Sequence, residues 1–294
     1  MDTGDAQSPI ADLEPVSPPR RRPPIFWVLS VVVVGLLVAG SLAFVGNDTK
    51  TWPATVVLSQ AAARTTGAGT AQIAMTVSGT VNGEDRTIVT GSGATDYANK
   101  TSTITLKVGT LTEEVRVVQD VAYASLPGAM LPNGAHWVSV TKADLKTDPG
   151  GAAALAANDP SSGLQFLSAV DGNPVIVGHE QVDGVATTHY GFTLNLKAMF
   201  DRVRDSVTAL NSSFGRELKS LGSMIDLSNL PGEAWIDSAG RVRKFVISIP
   251  IPQAGPGGKV VEELRFSHFD EPVDVQAPPA AETVPFSAAK NLFG

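Results

Sequence analysis

Residues 25–45 form an unbroken apolar run without a charged side chain, and Arg20, Arg21 and Arg22 stand immediately before it. About twenty such residues are what a helix needs to cross roughly 30 Å of hydrocarbon. No basic residue occurs between Phe26 and Asp48, so the charge asymmetry places the N-terminus inside the cell and everything after Asn47 outside it. A cleaved signal peptide is the competing reading, with Ser41-Leu42-Ala43 as small residues at a cleavage spacing. The run is longer than an ordinary signal-peptide core, and 24 residues precede it, which favours an uncleaved signal anchor in the plasma membrane. The expected organisation is a disordered Pro-rich cytoplasmic tail over 1–24, a transmembrane anchor over 25–46, one extracytoplasmic domain over 47–276 and a loose C-terminal tail over 277–294.

The net charge is −7, and the first 24 residues carry three arginines against Asp2, Asp5, Asp12 and Glu14, which leaves −6 for the remainder. That balance excludes nucleic acid as a partner and electrostatic docking on anionic lipid, since both require basic surface. The chain has no cysteine, so disulfides, thiolate metal sites, a cysteine nucleophile and a lipid-modified N-terminal cysteine are all excluded. Stability outside the membrane must therefore come from apolar burial, which a domain of about 250 residues supplies without staples.

From Ala71 the apolar period is two, with Ile73, Met75 and Val77 on one face. Asn82-Gly83 suits the two positive-φ positions of a type I′ hairpin turn. Further short strands over 86–93, 102–108, 113–118, 121–126 and 137–141 describe an antiparallel meander. An Ala-rich helix over 55–64 precedes it; an Ala-rich stretch over 142–158 and a short helix opened by Asp159-Pro160-Ser161 follow. Asp183-Gly184 joins a second hairpin, 175–182 with 185–196, whose return strand places Tyr190, Phe192, Leu194 and Leu196 on one face. Over 196–221 apolar residues recur in steps of three and four, the pattern of an amphipathic helix. Three more strands, over 233–237, 241–249 and 260–269, complete the set. A sheet of ten or more strands accumulates twist and curls. The expected fold is α+β: one large curved antiparallel sheet with helices on its concave side, behind the N-terminal transmembrane helix.

Catalytic spacing is missing. The chain contains no Gly-x-Ser-x-Gly elbow, and His179-Glu180 lacks a second histidine three residues after the glutamate. His136, His179, His189 and His268 are scattered and are expected to hydrogen-bond their strand neighbours. Glu113-Glu114, Glu262-Glu263 and Asp270-Glu271 point to opposite faces of a strand, so they form no acid/base dyad and are assigned to solvated edges. Neither enzymatic activity nor a cofactor is expected.

Several stretches together resemble the LppX/LprG family of actinobacterial cell-envelope lipoproteins, whose fold is similar to that of the LolA carriers. They are Gln72-Ile73-Ala74-Met75-Thr76-Val77-Ser78-Gly79, then Asp159-Pro160-Ser161-Ser162-Gly163-Leu164, and, most specifically, residues 178–190 and Ala234-Trp235-Ile236-Asp237 running on to Phe245. The resemblance covers about residues 52–275 and implies a half-barrel whose helices lie over an apolar cavity binding an acylated lipid or glycolipid. The lipobox cysteine of that family is absent, so attachment to the membrane falls to residues 25–45. Under the resemblance the cavity lining falls to Ile73, Met75, Val77, Ile104, Leu106, Val115, Val117, Phe166, Leu167, Tyr190, Phe192, Met199, Phe200 and Val203. The same faces make a solid core in the alternative reading, an envelope sensor or interaction protein with a protein partner.

Overall fold

A computed structural model of the chain describes residues 53–81, 83–147, 160–198 and 225–290. Helix α1 (Pro53–Thr66) comes first, with proline in its first turn, where a missing N–H costs nothing. Strands β1 (Thr70–Val81), β2 (Glu84–Asp96), β3 (Thr101–Val108), β4 (Leu111–Val118), β5 (Val121–Ser125) and β6 (Trp137–Val140) follow as the expected meander. Helix α2 (Lys142–Thr147) and a 3-10 segment (Pro160–Ala169) lead to β7 (Val170–Val182) and β8 (Val185–Leu194). Strands β9 (Leu230–Asp237), β10 (Val242–Pro250), β11 (Lys259–Ser267) and β12 (Thr283–Pro285) and the short helix α3 (Phe286–Ala289) complete the described chain.

Among the described residues the twelve strands form one open sheet in the order β12-β6-β5-β4-β3-β2-β1-β11-β10-β9-β8-β7. Two meanders are thereby joined along their first and last strands: β1 pairs antiparallel with β11, placing Ile73 opposite Phe266 and Met75 opposite Leu264. Long-range pairing of this kind leaves no local sequence signal. Tight turns fix the registers of the short hairpins. Asp183 and Gly184 both hold positive φ, as the two-residue hairpin requires, and so do Gln119 and Asp120 between β4 and β5.

One face of the sheet is apolar. Val284, Val138, Ala124, Val115, Ile104, Ile73, Phe266, Phe245, Ala234 and Leu194 lie along it in a single buried cluster that reaches from β12 to β8. Leu58 and Ala61 of α1 and Leu164, Phe166 and Leu167 of the 3-10 segment join that cluster, so these two elements cover the apolar face. Thr65 ties α1 down: its buried hydroxyl donates to Ala61 O at 2.7 Å and accepts from the Val242 N–H of β10 at 2.8 Å. Gly91 and Gly93 allow β3 to approach closely. A Cβ at Gly91 would stand 2.9 Å from Leu106 Cδ2, and one at Gly93 would run into the backbone of Thr103.

One expectation is corrected. The loose tail over 277–294 is in part built into the fold: Val284 pairs with Val138 in a parallel edge strand, and Phe286 is fully buried. An apolar Thr-Val-Pro-Phe segment gains burial there, and Pro285 is tolerated because an edge strand needs hydrogen bonds on one side only. The short helix expected after Asp159 is a 3-10 segment, consistent with the weak helix formers Ser161, Ser162 and Gly163 in its first turns. The helix expected over 196–221 is helical at 196–198, and its remainder lies outside the described residues, as does the stretch 148–159. No helix of the described residues is long and apolar enough to cross a membrane; the apolar run 25–45 lies outside them.

Candidate functional site

The residues chosen as cavity lining converge on the apolar face. Ile73, Met75, Val77, Ile104, Leu106, Val115, Phe166, Leu167 and Phe192 are all buried in the one cluster, with Val117 and Tyr190 packed partly buried against it. Register explains the convergence, because Val115 stands opposite Ile104 and Leu106 opposite the side-chain-free Gly91, beside Met75. Gly232 makes room in the same way for the ring of Phe192 laid across it. Met199, Phe200 and Val203 lie outside the described residues.

Two carboxyl groups share this face, contrary to their assignment to solvated edges. Glu262 occupies the position between Val260 and Leu264 on the apolar side of β11, with Val77 and Ile247 as its cross-strand neighbours. Only 4% of Glu262 is exposed, and its Oε1 has no hydrogen-bond partner among the described residues. Burial pushes its carboxyl up to about 8. Glu113, partly exposed opposite Leu106 on β4, is pushed up by burial to about 7. A signal for Glu262 was present in the sequence. Val260, Glu262, Leu264 and Phe266 share one parity, so three apolar partners already put the glutamate on the buried side.

The opposite face is polar and densely paired. His189 stacks on Trp235 with ring centroids 4.0 Å apart. Its Nδ1 lies 2.9 Å from Glu180 Oε1 and its Nε2 3.0 Å from Glu233 Oε2. A neutral imidazole has one N–H to offer these two acceptors, whereas an imidazolium has two. Trp235 Nε1 donates to Glu180 Oε2 at 3.1 Å, and this bond, followed by that of His189, holds the Glu180 carboxyl below its ordinary value. Lys244 lies over the Trp235 ring and pairs with Glu263, which also accepts from Arg265 at 2.6 Å. Asp237 accepts from the Ala239 and Arg241 N–H groups and so shapes the β9–β10 turn. The stretches 178–190 and 234–245, distant in sequence, thus meet on neighbouring strands. Their polar residues hold β7 to β10 in register. No group of three or more His, Cys, Asp or Glu side chains suited to a metal ion occurs among the described residues.

The architecture is that of a wide open sheet with one apolar face covered by helical segments. No family model matches the chain. It is 26% identical over 223 residues to an uncharacterised 31.2 kDa protein of Streptomyces griseus encoded in the rplA-rplJ intergenic region, covering 66% of this chain and 68% of that protein. Similar solved structures include the lipoprotein LppX of Mycobacterium tuberculosis, at 16% identity and a TM-score of 0.47, covering 77% of this chain and 100% of that one. LprF from Mycobacterium bovis is similar at 19% identity and a TM-score of 0.44, over 76% of this chain and 96% of that one.

Proposed function

We propose that the protein binds the acyl chains of a lipid or glycolipid between the apolar face of its sheet and the helical segments over it, without catalysis, outside the membrane in which residues 25–45 anchor it. The observation that carries this reading is the apolar face itself: one cluster runs from Val284 to Leu194 and is faced by short helical elements, with no second sheet among the described residues to interdigitate. Mostly apolar surfaces suit small apolar ligands. Each methylene removed from water contributes about 0.8 kcal/mol, so one long chain supplies useful affinity. A protein held by its own helix does not leave its membrane, and capture and handover of lipid suit it better than shuttling.

The test is purification of the full-length protein from an actinobacterial host, followed by solvent extraction and identification of bound lipid. Wild type is expected to carry lipid stoichiometrically. Met75→Trp, which enlarges a buried side chain of the apolar face, is expected to lower occupancy at least about tenfold in protein that still folds, one tenfold step being about 1.4 kcal/mol. Lipid retained in full by a folded Met75→Trp protein would put the binding site elsewhere.

A second reading, a solid core with a protein partner, is favoured by the edge strand β7, which exposes Val175, Ile176 and Val177 at 59, 61 and 58%. Wild-type protein free of lipid in a lipid-rich host is its expected signature.

A further inference from the structure

Glu262 is costly where it stands. An unpaired buried polar group is destabilising, and the site is shaped by Val77 and Ile247, which offer neither donor nor acceptor. The charged groups of the adjoining strands do not relieve it. Lys244 and Arg265 pair with Glu263, whose side chain leaves the opposite face of β11, and Arg265 also pairs with Asp183. Glu113, the other carboxyl of the apolar face, is separated from β11 by β1, β2 and β3. A leucine at 262 would continue the Val260, Leu264, Phe266 row at no such cost. A carboxyl retained in an apolar row, with one oxygen unpartnered among the described residues, is a contact point for something that arrives later.

Resting on the lipid-binding reading, we infer that Glu262 is the polar recognition point of the site: its carboxyl hydrogen-bonds an uncharged oxygen, a hydroxyl or an ester carbonyl, at the polar end of an acyl chain lying on the apolar face. The neutral acid suits such a group because it both donates and accepts. An ammonium headgroup would instead require the carboxylate, and burial opposes that form.

The experiment compares binding of monopalmitoylglycerol, palmitylamine and hexadecane to the full-length protein in detergent micelles by native mass spectrometry. Wild type, Glu262→Gln, Glu262→Leu and the unbranched Glu262→Met are measured. Wild type is expected to prefer monopalmitoylglycerol over hexadecane. Glu262→Gln keeps a neutral donor and acceptor and is expected to stay within about threefold of wild type for monopalmitoylglycerol. Glu262→Leu and Glu262→Met are expected to bind it about tenfold more weakly, the loss of one hydrogen bond of roughly 1.4 kcal/mol, while melting at or above the wild-type temperature. Equal binding of monopalmitoylglycerol by wild type, Leu and Met overturns the inference and leaves the lipid-binding reading intact. A wild-type preference for palmitylamine that the Gln variant loses overturns it in favour of a cationic ligand. Failure of wild type to bind any of the three overturns both.

Discussion

A buried carboxyl sets the pH response at the scale of single residues. Glu262 is raised by burial from an ordinary 4.5 to about 8, and Glu113 likewise to about 7. Between 4.5 and those values the native state keeps protons that the unfolded chain has released, so stability falls as pH rises through this window. The melting temperature is therefore expected to fall between pH 5 and pH 8. Glu262→Gln, which does not titrate, is expected to flatten most of that slope, and an unchanged slope in the variant would show that the carboxyl is not buried as described. Thr65 makes a second residue-scale prediction. Thr65→Val removes the acceptor for the buried Val242 N–H and is expected to cost about 1–3 kcal/mol in denaturant unfolding. Nothing local in the sequence marks Thr65, because its partner lies 177 residues away.

At the scale of elements, most strands were legible and their partners were not. Period-two alternation located β1 to β5, β8, β10 and β11, and Asp183-Gly184 fixed a hairpin, since both are properties of adjacent residues. β12 was missed because three residues carry too short an alternation to detect, and a Pro-rich surrounding reads as tail. Its worth is tested by Phe286→Ala, which is expected to cost about 3–5 kcal/mol, measured by denaturant unfolding, because the ring is fully buried against the sheet end. A variant as stable as wild type would restore the loose-tail reading. The assignment of Glu113 and Glu262 to solvated edges failed for a related reason. Acidic pairs were read from their charge, whereas the alternation of the strand had already divided each pair between two faces.

For the whole molecule, the proposed topology makes a prediction that the absence of native cysteine renders clean. In intact cells a membrane-impermeant maleimide is expected to label Met130→Cys, which is 94% exposed on the folded domain, and to label Ser8→Cys only after permeabilisation. Labelling of both positions in intact cells would reverse or abolish the proposed orientation. By itself the sequence determined what depends on neighbouring residues: the apolar run, the strand parities, the hairpin turns, the exclusion of cysteine chemistry, and the set of side chains that must hide from water. Tertiary structure decided what depends on residues far apart. It placed β11 against β1, built a single face from two meanders, brought Glu180, His189 and Trp235 into contact across β7, β8 and β9, and closed an apolar wall around Glu262. The physical reason is that alternation specifies which face a side chain occupies, whereas burial, pairing and proton affinity are set by whatever the completed sheet brings to that face.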